Sequence, residues 1–234
     1  MRNTFFAIIC LFTSLGVNAQ DSLEVDLSAD FVNQYVWRGM ELGSVSVQPS
    51  LGVSYKGLSL TAWGSCGLSD TNDPKEIDLT VAYTISGFNI GVTDYWTNMG
   101  QDPRGRYFKY DAHGTNHVFE ANVGYDFGVL SLQAYTNFAG DDGVNNDDER
   151  AYSTYLELAA PFRLVGVDWT ATAGVVPFAT TTYENTGFAV TNLSLMAEKS
   201  IEITDKFSIP VFAGLTANPC TQKGYFVFGF TLRP

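Results

Sequence analysis

Eight carboxylates occur inside stretches whose side chains alternate polar and apolar: Glu24, Asp26, Glu76, Asp78, Glu120, Glu157, Asp168 and Glu198. Residues two apart on an extended chain share a face, so each carboxylate lies opposite its neighbouring valines and leucines. If those faces surround one space, their repulsion must be relieved by water, cations or scattered Lys and Arg. A ring of acidic groups also favours passage of cations over anions. The alternative is a merely polar interior whose charges are satisfied by neighbours across the space.

Arg38 lies between aromatic Trp37 and permissive Gly39, where the first ribbon ends. It could turn inward, pair with a carboxylate and shape a pore mouth, or sit at a rim and snorkel into headgroups; the rim position is preferred. Residues 98–115 carry Arg104, Arg106 and Lys109 among Tyr107, Phe108 and Tyr110. This segment either folds inward as a constriction or packs outside at the rim, the second being the simpler.

His113 and His117 are four apart, a spacing that suits a metal on a helix, but no helix is indicated there. Asp141, Asp142, Asp147, Asp148 and Glu149 cluster between Gly140 and Arg150, yet fail the calcium-loop spacing. They read as a solvated loop tip. No G-x-S-x-G occurs, and a Ser-His-Asp set would need His113 or His117 from a long loop. No catalytic residue, cofactor or metal ligand is therefore assigned.

Twelve ribbons must position these side chains: 22–38, 44–55, 58–67, 75–85, 88–97, 116–125, 129–139, 151–160, 165–176, 187–201, 206–217 and 224–233. Most are near the ~9–11 residues of a tilted membrane strand. Tight joins at 56–57, 86–87, 126–128, 161–164 and 202–205 alternate with longer ones at 39–43, 68–74, 98–115, 140–150, 177–186 and 218–223. A soluble β-sandwich would also alternate. Three features oppose it: an apolar face on nearly every ribbon, aromatic residues near ribbon ends, and almost no charge on the apolar faces. The expected fold is all-β: an antiparallel transmembrane β-barrel of about 12 strands, with short periplasmic turns and longer extracellular loops. Trp63, Tyr95, Tyr135, Tyr155 and Phe212 should point inward and narrow its lumen.

Residues 1–19 read as a signal peptide, with Arg2, an apolar run from Phe5 to Phe12 and a Val17-Asn18-Ala19 cleavage site. Residues 20–234 then form the barrel domain. The formal charge of −12 removes the basic stripe that nucleic-acid binding needs. Cys66 and Cys220 fall near one rim, where they could pair in an oxidising compartment or stay apart.

The run Asp30-Phe31-Val32-Asn33-Gln34-Tyr35-Val36-Trp37-Arg38-Gly39, followed by Gln48-Pro49-Ser50-Leu51, resembles the opening of the TorF-type porin family. The resemblance continues through Ala62-Trp63-Gly64-Ser65, Glu76-Ile77-Asp78-Leu79 with Tyr83, and Gly91-Val92 with Tyr95-Trp96, then fades after about residue 126. It implies an exported barrel in a bacterial outer membrane. Residues and resemblance together predict a narrow passive channel for small hydrophilic solutes, lined by the eight carboxylates and Arg38 and preferring cations. Its partners would be membrane lipid and the solutes themselves, with no cofactor. A non-conducting binding or structural barrel is the alternative, followed by an enzyme with loop-borne residues.

Overall fold

The computed structural model describes residues 22–69, 73–98, 105–111, 114–205 and 207–234. The leader, Arg104 and His113 lie outside them. Twelve strands close into an antiparallel barrel: β1 (Glu24–Val32), β4 (Ser46–Tyr55), β5 (Leu58–Gly67), β6 (Lys75–Ile85), β7 (Phe88–Asn98), β8 (His117–Asp126), β9 (Ser131–Gly140), β10 (Thr154–Leu164), β11 (Val167–Val176), β12 (Ala189–Thr204), β13 (Phe207–Asn218) and β14 (Lys223–Leu232). Two further short strands, β2 (Tyr35–Trp37) and β3 (Met40–Gly43), pair only with each other. No helix among the described residues is long and apolar enough to cross a membrane.

The molecule is inverted relative to a water-soluble domain. On β6, Ile77, Val81 and Ile85 are 41–50% exposed, whereas Glu76, Asp78 and Thr80 on the opposite face are buried. The same alternation puts Leu51, Leu60, Ile90, Leu132, Leu158, Leu215 and Phe228 on the outside. So much exposed apolar surface is stable only against an apolar surround, the arrangement of a membrane-spanning barrel.

At one end the joins are tight. Lys56-Gly57, Ser86-Gly87 and Val165-Gly166 all have positive φ at both residues, the geometry of a two-residue turn matched to strand twist. The expected turn at 161–164 comes too early: Pro161 stays in β10 opposite Thr170, and the chain reverses at Val165-Gly166. Proline marks turns only statistically, and a strand tolerates it where one ladder bond can be lost.

The first expected ribbon, 22–38, breaks in two. β1 pairs with β14 only from Ala29 to Val32. Beyond it the Asn33 side chain takes over the edge of β14, accepting from the Phe228 N–H at 2.7 Å and donating to the Phe226 carbonyl at 3.0 Å. The chain then leaves the wall and turns back as the β2–β3 hairpin. Its tip is Arg38-Gly39, with φ 49° and 79°, the same turn type as Lys56-Gly57. Of residues 39–43, expected as an outer loop, Gly39 completes the turn and Met40–Gly43 form the returning strand.

Candidate functional site

The hairpin crosses the lumen near the long-loop end, bringing Arg38 from beside β1 and β4 to β8 on the far side. Its guanidinium is 3% exposed and meets Glu120 through two bonds, Nη1 to Oε2 at 2.6 Å and Nη2 to Oε1 at 2.9 Å. Nη1 also donates to the Tyr183 hydroxyl at 2.7 Å. The guanidinium carbon lies 4.2 Å from the Trp37 ring centroid, 4.1 Å from Tyr135 and 4.6 Å from Tyr155. A planar cation thus has a matched carboxylate fork in its plane and aromatic faces against it, the pairing that suits arginine best.

The cage is itself held in place. Tyr95 donates to Glu120 Oε1 at 2.9 Å, Tyr155 to Glu157 at 2.8 Å, and Asn192 to the Tyr155 hydroxyl at 3.1 Å. Tyr183 descends from the 3₁₀ turn Thr181–Tyr183 in the β11–β12 connection. Burial raises its phenol above the ordinary range, so it stays protonated while its oxygen accepts from Arg38. That connection interlocks with residues 141–153: Thr181 N–H donates to the Val144 carbonyl, Gly143 N–H to Thr182 Oγ1, and Ser153 and Thr180 share a 2.6 Å hydroxyl contact. At the turn, Gly39 lies against the Thr191 backbone and its carbonyl accepts from Asn218 at 3.0 Å.

This is a correction for Arg38: it is inside the barrel, not at the rim. A short rim arginine could have reached headgroup water, but the hairpin carries this one inward to a buried carboxylate. The eight carboxylates share the inward face, yet they do not form one ring. Glu76, Asp78, Glu120 and Glu157 are buried at the level of the hairpin. Glu24 and Asp26 are exposed toward the tight-turn end, where Asp168 and Glu198 are also partly open. There Arg163 approaches Asp168 at 3.5 Å, and Arg233 balances Asp26, Asp30 and Glu198. All five expected inward aromatics face the lumen side: Trp63 packs on Tyr35, Phe212 on Val32 and Tyr225, and Tyr95, Tyr135 and Tyr155 surround the Arg38–Glu120 pair.

Residues 105–111 take no part in the constriction and lie on the outer wall. His117 and Asp94 are outward-facing, since they stand in register with Trp96 and Phe119. His117 Nδ1 meets Asp94 at 2.7 Å, Nε2 meets the Tyr107 carbonyl at 2.5 Å, and Tyr110 stacks on the imidazole at 4.0 Å. Both ring nitrogens of His117 are thus engaged by these groups. Asp142 serves the loop, accepting from the N–H groups of Gly143 and Ser153 and from Asn137. Among the described residues no group of three His, Cys, Asp or Glu could hold a metal. Cys66 and Cys220 are both free thiols.

The luminal hairpin was legible only in part. Arg38-Gly39 has the residue pattern of the neighbouring X-Gly turns, but strands of three and four residues are too short to show a period.

Fold and site together define an antiparallel twelve-stranded barrel, apolar outside and polar within, with a hairpin fastened across its lumen. The chain belongs to a bacterial family described as "Bacterial protein of unknown function (Gcw_chp)", whose sequence profile matches residues 17–208. No curated protein matches it. Among solved structures it is similar to the outer membrane protein opdK from Pseudomonas aeruginosa, at 11% identity and a TM-score of 0.39, over 89% of this chain and 61% of that one. The chain therefore spans less than two thirds of that protein's length.

Proposed function

We propose that the protein is a porin-type channel of a bacterial outer membrane, admitting small hydrophilic solutes past a hairpin that gives way. Export by a cleaved signal peptide at residues 1–19 belongs to this reading, as does the orientation with tight turns in the periplasm. The resemblance of residues 30–96 to TorF-type porins supports it. The observation that carries it is the manner in which the lumen is closed. A separate two-stranded hairpin, sharing no ladder with the wall, is tied by the Arg38–Glu120 pair, by cation–π contacts and by packing of Val36, Trp37 and Met40, while Glu24 and Asp26 are exposed toward the tight-turn end. The polar and cation–π ties can be exchanged for solute or water, and without ladder bonds to the wall the hairpin can shift as a unit. The acidic wall gives the channel a preference for cations.

Planar-bilayer recording tests this. Wild-type protein should conduct weakly or intermittently, and a variant with residues 35–43 replaced by a short Gly-Ser link should conduct several times more. A folded, inserted and silent hairpin-less barrel would overturn the channel. That result would favour a binding or structural barrel, the reading supported by how deeply Tyr155, Tyr183 and Asn192 are buried.

A further inference from the structure

We propose that the cage around Arg38 is a recognition site for a guanidinium or primary ammonium group on a solute, with Arg38 as its built-in occupant. This rests on the channel reading and names the solute class for that same site. Most of the cage belongs to the wall and the β11–β12 connection, not to the hairpin. Glu120 on β8 supplies two parallel acceptor oxygens, 2.6 and 2.9 Å from the guanidinium nitrogens. Tyr135 on β9 and Tyr155 on β10 supply ring faces at 4.1 and 4.6 Å, and the Tyr183 hydroxyl supplies a third acceptor at 2.7 Å. Tyr95 on β7 fixes the Glu120 carboxylate. When the hairpin moves out, only Trp37 leaves with it.

What remains is a charged, shaped vacancy. Glu120 is 3% exposed with the hairpin seated; once the hairpin leaves, its carboxylate opens to the lumen, keeps only the Tyr95 bond and has lost its countercharge. A neutral or anionic solute cannot restore it. A guanidinium restores both carboxylate bonds and both ring contacts, and an ammonium restores the charge and the ring contacts with a poorer fit. Displacement breaks no ladder bond to the wall, because the hairpin pairs with no wall strand; what must give way is the Arg38 bonds, the Asn218 bond to the Gly39 carbonyl, and the packing of Val36, Trp37 and Met40.

Two measurements test the site. Purified Arg38→Ala protein in detergent is titrated with methylguanidinium and with methylurea, its neutral analogue, while the unfolding temperature is followed. Methylguanidinium should raise that temperature saturably, with half-saturation on the order of 1–10 mM, and methylurea should not. In Arg38→Ala/Glu120→Gln the effect should weaken at least about tenfold. Equal responses to the two compounds, or none, overturn the site. The second measurement needs no variant at Arg38: vesicles of phosphatidylethanolamine and phosphatidylglycerol bearing wild-type protein are swollen with arginine or citrulline, which differ by guanidinium against urea. Arginine should enter about tenfold faster, and Glu120→Gln should erase the difference. Equal entry of both overturns recognition of the solute. If neither enters while methylguanidinium still binds the Arg38→Ala protein, the channel reading falls and the cation site stands.

Discussion

Arg38 and Glu120 form a pair whose partners punish its loss unequally. Both are 3% exposed, so deleting Glu120 leaves an arginine that cannot be deprotonated in a buried place. Glu120→Ala should lower the unfolding free energy by about 3–5 kcal/mol, measured by urea titration in detergent. Adding Arg38→Ala should restore part of that, giving a coupling energy above about 1 kcal/mol in a double-mutant cycle. Strict additivity would mean that the two groups do not act together. Gly39 is the second sensitive residue. Its φ of 79° already disfavours a side chain, and an added Cβ would collide with the Thr191 carbonyl. Gly128 has φ 85° with open space around it. Gly39→Ala should therefore destabilise clearly more than Gly128→Ala, which bears only the backbone penalty of roughly 1 kcal/mol.

At the scale of elements, the outer flap makes a prediction independent of the lumen. Asp94 and His117 face outward in a wall that should be apolar, where an unpartnered polar or charged group is unfavourable. Residues 105–111 cover them, with Tyr107 also edge-on to Trp96 at 5.4 Å. His117→Ala removes the Tyr107 carbonyl contact and the Tyr110 stack together. The barrel should still fold, but trypsin should cut at exposed Arg106 at least about tenfold faster in intact vesicles. An unchanged cleavage rate would show that other contacts hold the flap. The barrel elements were readable beforehand because each buries one face, and a period of two over ten residues is unmistakable. β5 and β6 fall where the alternation puts them, at 58–67 and 75–85. The hairpin and the flap were not readable in the same way. Their positions depend on partners distant in sequence, Glu120 for Arg38 and Asp94 for His117, and no local pattern encodes which carboxylate a cation will find. The Asn33 switch at the end of β1 was hidden for the same reason, since one side chain there imitates a strand edge.

Over the whole molecule the decisive quantity is the charge left inside when the hairpin leaves. At its level the wall carries Glu76, Asp78, Glu120 and Glu157, with Arg38 as the bound cation. Removing residues 35–43 takes that cation away and uncovers the carboxylates, so the widened lumen should become more strongly cation-selective as it becomes more conductive. Under a tenfold KCl gradient, the hairpin-less barrel should show a larger cation-favouring reversal potential than the wild-type protein. Glu76→Gln with Asp78→Asn in that background should reduce it. Raising the bath to about 1 M salt, where the screening length falls to about 3 Å, should compress the difference. The tight-turn vestibule should contribute less, because Arg163 and Arg233 already offset Asp168, Asp26 and Glu198 there. If neutralising Glu76 and Asp78 leaves the reversal potential unchanged while Asp26→Asn with Glu198→Gln shifts it, the filter lies at the vestibule and the hairpin level governs only how much passes.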